Sequence, residues 1–103
     1  MENKTKYSIL RCDKAGTYIA IVGNTKNGKT ELLNARKIYY WEGANTVEDI
    51  ATFGTVRPEG CRLTVTIKSI IVRSSDIYEE IIATEEATRV LLGIKDWTAS
   101  QPN

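Results

Sequence analysis

Among its 103 residues the chain has no histidine. That removes the usual general base, the usual proton shuttle and the commonest metal ligand at once. Cysteine is nearly absent too: Cys12 and Cys61 are the only two. No paired ligand spacing exists for a metal, and two such residues read as reduced, half-buried strand positions rather than as a disulfide. Long hydrophobic runs are missing, the longest being the five residues Tyr18 to Val22. No transmembrane helix fits, and the polar start Met1 to Lys6 leads into no signal-peptide core. The expectation is a cytosolic protein with no membrane partner, no cofactor and no metal.

What is present is the composition of one globular domain. Apolar residues make up 42% and charged residues 26% of the chain, which is ordinary for a folded soluble protein. A chain this size buries about 60–70% of its unfolded surface, enough for one modest core. Residues 1–103 are therefore read as a single domain, with 1–6 and 98–103 as flexible ends. The net charge of +1 is unevenly spread. Residues 1–73 hold 12 Lys/Arg against 7 Asp/Glu, and residues 74–103 hold 2 against 6. Two readings follow: a solvated acidic helix beside a mildly basic sheet, or a basic face for an anion with an acidic segment that meets a neighbouring copy. Long nucleic acid is not expected, since it asks for a stronger basic excess.

Along the chain, Tyr7–Cys12 and Thr17–Gly23 read as a hairpin about Asp13-Lys14-Ala15-Gly16. Asn27-Gly28 tolerates the positive φ of a tight second turn. Thr30–Asn34 is then a third strand, and Arg36–Trp41 a fourth, rich in β-branched and aromatic residues. Alternation puts Arg36, Ile38 and Tyr40 on one face and Lys37, Tyr39 and Trp41 on the other. Thr46 caps a short helix with Asp49 three residues on, Val47, Ile50, Ala51 and Phe53 supply its apolar face, and Gly54 closes it. Cys61–Lys68 alternates cleanly and predicts a continuous strand. Strands through Ser69–Arg73 and Ile77–Ala83 follow. Thr84 caps a second helix, with Ala87, Val90, Leu91 and Ile94 on one side and Glu85 and Glu86 in its first turn. Trp97 packs back on the body. The expected class is α+β and mostly antiparallel β: a bent sheet or small open barrel with a short inserted helix and a C-terminal helix.

Residues Gly23, Gly28, Lys29 and Thr30 match G-x-x-x-x-G-K-T literally. A phosphate loop must open a helix, and here only a few residues separate it from the next strand signal. The hairpin reading is preferred. The carboxylates Glu42, Glu48, Asp49 and Glu59 are dispersed over loop and helix, so no acid–base pair is expected. Cys61 has no histidine to activate it and alternates with Leu63 into the core. No catalytic residue is assigned. The run Tyr39-Tyr40-Trp41 is either sheet packing or a stacking platform. Its neighbourhood favours a platform: Arg36 and Lys37 precede it, and Arg57 follows in a Gly/Pro loop. Guanidinium forks suit phosphate oxygens, and aromatic rings stack on bases.

The block Asn34-Ala35-Arg36-Lys37-Ile38-Tyr39-Tyr40-Trp41-Glu42-Gly43-Ala44, the Gly54-Thr55 pair with Pro58 and Cys61, and the later Thr84-Glu85-Glu86-Ala87 and Trp97 resemble a family of small uncharacterised phage and prophage proteins. The likeness spans about residues 7–97 and departs at Asn45 to Val47. It implies phage origin and no particular activity. Together these readings lead to a non-enzymatic binder, expected to be homo-oligomeric, that sequesters a small anionic nucleotide-like ligand such as a cyclic oligonucleotide immune signal. Arg36, Lys37 and Arg57 would hold phosphates, and Tyr40 and Trp41 would stack a base. The rivals are a protein–protein inhibitor of a host enzyme acting through the aromatic strand, and a weak nucleic-acid module using Arg62, Thr64, Thr66 and Lys68.

Overall fold

The computed structural model describes residues 6–98; of the ends expected to be flexible, 1–6 and 98–103, all but Lys6 and Thr98 lie outside the described residues. Six strands and two helices follow the chain as β1 (Ser8–Cys12), β2 (Gly16–Lys26), β3 (Lys29–Tyr40), α1 (Val47–Phe53), β4 (Arg62–Leu63), β5 (Ile67–Arg73), β6 (Ile77–Ile82) and α2 (Glu85–Leu92). The ladders between strands are antiparallel, in the order β4-β3-β2-β1-β6, with β5 also on β3. This is the mostly antiparallel, bent α+β architecture that the alternation pattern predicts. Among the described residues no helix is long and apolar enough to cross a membrane.

Turn chemistry sets the strand ends. Asn27 (φ 54°) and Gly28 (φ 75°) join Lys26 to Lys29 through a two-residue turn, the geometry whose twist suits a hairpin. The G-x-x-x-x-G-K-T stretch is therefore the tip of the β2–β3 hairpin and opens no helix. Between β5 and β6 a 3₁₀ turn, Ser74–Asp76, fastens the other two turns. The Asp76 carboxylate accepts from the backbone N–H of Lys14 and Ala15 (2.9 and 3.0 Å), and Ser74 N–H donates to Gly28 O at 2.8 Å.

Two strand expectations are corrected. Thr30–Asn34 and Arg36–Trp41 form one strand, β3, and the interruption at Asn34 is a bulge. Asn34 takes φ 49°, and the register against β2 jumps from Ile19↔Arg36 to Ile21↔Leu33. Asparagine tolerates that left-handed backbone, so the ladder bends without ending. The continuous strand expected over Cys61–Lys68 is broken instead. Only Arg62–Leu63 pairs with the far half of β3, and Ile67–Arg73 pairs with its near half. A partner running along a bent strand splits at the bend, although its side chains alternate without a break.

Both faces of the sheet are buried in the middle. Ile9, Ile19, Ile38 and Leu63 meet Ile50 of α1 and Leu91 of α2 in one cluster. Alternate residues of the same strands, Leu10, Tyr18, Ala20 and Leu32, join Val72 of β5 in a second cluster that the curled sheet covers itself. Each fully buried Ile or Leu contributes about 1.5–3 kcal/mol of transfer free energy. Both helix caps form as expected: the Thr46 hydroxyl accepts from Asp49 N–H and the Thr84 hydroxyl from Ala87 N–H. Gly54 (φ 82°) lets the helices approach closely, since a Cβ there would stand 2.9 Å from Val90.

Candidate binding cleft

The five residues expected to form a ligand site are distributed over four places. Arg36 is 1% exposed. Its Nε donates to Thr64 O (2.9 Å), its Nη1 to Leu91 O (2.8 Å) and more weakly to Leu92 O (3.4 Å), and its Nη2 pairs with Asp96 (3.1 Å). Leu91 and Leu92 close α2, where helix carbonyls lack intrahelical donors and carry the negative end of the dipole. One guanidinium thus ties β3, the β4–β5 link, the end of α2 and the following tail together. Burial lowers its pKa and Asp96 opposes the shift.

Lys37 projects from the opposite face and lies over Gly16, whose added Cβ would meet Lys37 Cε at 2.7 Å. Trp41 is half-buried against the cluster between sheet and helices. Only Tyr40 and Arg57 come together, and Glu42 is what joins them. Tyr40 donates its hydroxyl to Glu42 Oε2 at 2.8 Å, which raises the phenol pKa. Arg57 stands 3.6 Å from Glu42 Oε1 and 3.5 Å from Glu59.

Glu42 also anchors the loop by its backbone. Its carbonyl accepts from the Thr55 hydroxyl, and its N–H points to Cys61 Sγ at 3.5 Å. Thr55 Oγ1 in turn accepts from Arg57 N–H (3.0 Å), and Val56 N–H donates to Gly43 O (3.2 Å). Gly43 holds φ 82°, and a Cβ there would collide with Thr55 Oγ1 and Arg57 N. The Glu42-Gly43 and Thr55…Cys61 motifs therefore zip two loops together. Their spacing reflects backbone fastening, and the thiol of Cys61 serves as a buried hydrogen-bonding group.

Beside this zip lies a cleft of about 420 Å³ lined by Tyr40, Glu42, Glu59, Gly60, Arg62 and Trp97, at the small end of ligand-sized sites. Arg62 is its centre, with the guanidinium carbon 4.4 Å from the Trp97 ring centroid and 5.4 Å from that of Tyr40. Both lie within cation–π range. Tyr40 pairs with Arg62 across β3–β4. Trp97 is brought in by its N–H to Leu63 O (2.9 Å) and by the bridge Leu63↔Asp96.

Sequence reasoning placed Arg62 on a strand's polar face and Trp97 merely against the body. No local signal joins two residues 35 positions apart; only the docking of the tail on β4 does so. The ladder Arg62, Thr64, Thr66 and Lys68 does not form, because the strand breaks after Leu63. Thr64 instead uses its hydroxyl to accept from Lys37 N–H at 3.0 Å. Among the described residues no group of three Cys, Asp or Glu side chains is placed to hold a metal ion.

An aromatic–guanidinium stack thus sits beside two carboxylates, on a loop pair fastened by its backbone. The chain belongs to a family whose description is a domain of unknown function (DUF6948), matched over residues 5–91. Neither the curated proteins nor the solved structures contain a match to it.

Proposed function

We propose that this chain is a non-enzymatic binding protein of phage origin that works in the host cytosol as an assembly of copies. It sequesters a nucleotide-type ligand, a cyclic oligonucleotide immune signal of the host, and so acts against host defence. The observation that carries the reading is Arg62 held between Tyr40 and Trp97 at the mouth of the cleft. A flat base stacks on such a surface with about 1–3 kcal/mol per base. Glu42 and Glu59 accept hydrogen bonds from amino groups on a base edge. Arg57, whose side chain is 59% exposed, is the cation able to turn toward phosphate. Arg36 and Lys37 take no part in this version of the site.

Isothermal titration against a panel of cyclic di- and trinucleotides tests it, at protein concentrations about 100 times a micromolar Kd. Heats that vanish in Arg62→Ala and Trp97→Ala support the reading. Flat heats across the whole panel with the unaltered protein overturn it.

A second reading is inhibition of a host enzyme by direct contact. It is favoured by the exposure of Tyr39 (44%) and Tyr40 (45%) at the end of β3, since tyrosine is a frequent anchor of protein interfaces. Tyr39→Ala separates the two: it weakens protein capture, and it leaves the heats of nucleotide binding unchanged because Tyr39 lies on the face away from the cleft.

A further inference from the structure

Apart from the two-residue β4, whose outer side meets Asp96 in an isolated bridge, the bent sheet leaves two strand edges without a ladder partner among the described residues. β5 pairs with β3 alone and β6 with β1 alone. The two edges follow one another in sequence, separated only by the turn Ser74–Asp76, and are nearly equal in length at 7 and 6 residues. Each also presents large apolar side chains to solvent: Ile71 (57% exposed) on β5, Tyr78 and Ile82 (61% each) on β6. Open edges with exposed apolar residues are templates for pairing with another chain.

Their charges decide which chain. β5 carries Lys68 and Arg73 and no acid; β6 carries Glu79 and Glu80 and no base. Two β6 edges meeting antiparallel about their centre would set Glu79 against the neighbour's Glu80 twice, and like charges directly opposite are destabilising. Two β5 edges would crowd four cations. A β5 edge against a β6 edge sets Lys68 and Arg73 beside Glu80 and beside Glu79, whose carboxylate Arg11 of β1 already pairs at 3.0 Å, and joins apolar to apolar.

We propose that copies of this chain associate head to tail, the free edge of β5 in one copy continuing the ladder of β6 in the next. Such a contact uses a different surface on each partner, so every copy offers one donor edge and one acceptor edge, and a suitable rotation closes a ring. Like charges on each edge block the wrong pairing while the opposite charge on the other edge admits the right one. The assembly needs no ligand, so its test stands apart from that of the binding cleft.

The test is native mass spectrometry with light scattering on the full chain at tens of micromolar. The unaltered protein is expected as a closed assembly of several copies. Ile71→Asp places a carboxylate against the neighbour's β6 acids, and Ile82→Lys places an amine against the neighbour's β5 cations. Both residues are exposed, so the far-ultraviolet circular dichroism of each variant matches that of the unaltered chain, while the thermal midpoint falls by the stabilisation that association supplies. Each variant alone runs as a single copy, and an equimolar mixture forms heterodimers, because each retains the one edge that the other lacks. A single-copy unaltered protein overturns the proposal. So do homodimers of Ile71→Asp alone, which would require β6 to pair with itself, and a mixture that stays monomeric.

Discussion

Arg36 and Arg62 stand on paired strands of one sheet, and they differ in everything but side chain. Arg36 is sealed between β3 and α2 with each of its nitrogens engaged by protein oxygens. Arg62 is exposed and rests on two aromatic rings. The first is spent on architecture and the second is open to a partner. An arginine next to aromatic residues in sequence is thus no guide to recognition until its donors have been accounted for. Residue type supplied the same chemistry at both positions, and burial determined its use.

The contrast can be broken most forcefully at Arg36. Arg36→Met leaves the Leu91 and Thr64 carbonyls without their donor and should cost about 1–3 kcal/mol for each, read from urea unfolding midpoints. Asp96→Asn should cost under about 1 kcal/mol, because that carboxylate is half exposed. Equal losses from the two variants would mean that the ion pair, and not the helix-end carbonyls, gives Arg36 its role.

Next in size comes the loop zip that frames the cleft. Gly43→Ala forces a Cβ into Arg57 N at a positive φ, and about 2 kcal/mol of stability should be lost. The near-ultraviolet signal of the neighbouring Trp41 reports whether the loops have come apart. At Arg62 the order of effects reverses. Arg62→Ala should change stability by about 1 kcal/mol or less and yet abolish the binding heats. A stability loss as large as that at Arg36 would make Arg62 another structural cation and remove the basis of the cleft.

The smallest effect is on the alkaline side. Burial, with a smaller contribution from Asp76, pushes the Cys12 thiol pKa up, and burial with a contribution from Cys12 pushes Tyr18 up. A group whose folded pKa is raised keeps its proton longer in the native state. Its contribution is complete below the ordinary thiol range and is lost as pH rises through the raised value. Urea midpoints should therefore hold level through neutral pH and decline in alkali. Cys12→Ala should flatten the onset of that decline, and an unchanged slope would rule the thiol out.

Much of the scaffold was legible because its signals are local. Asn27-Gly28 marks the hairpin by φ alone, Thr46 and Thr84 cap by reach to an N–H three residues on, and Ala87 and Leu91 face inward by helical period. The breaks were not legible. Asn34 reads as a strand end, and only the pairing of β2 across it shows a bulge. Cys61–Lys68 alternates perfectly, yet a bent partner divides it. Of the five residues read as a site, Tyr40 alone lines the cleft; Arg57 stands beside it through Glu42, and Arg36, Lys37 and Trp41 point elsewhere. Arg62 and Trp97 were invisible as a pair because the link between them is a tail docking on a two-residue strand.

By itself the sequence determined the kinds of element, their caps and turns, and the absence of histidine chemistry, because these depend on each residue's own backbone preferences and functional groups. Which arginine is buried and which is offered, and which strand edges stay open, were decided only in the folded chain. Burial and pairing are properties of what packs alongside, and the bend at Asn34 sets those neighbours from far along the sequence.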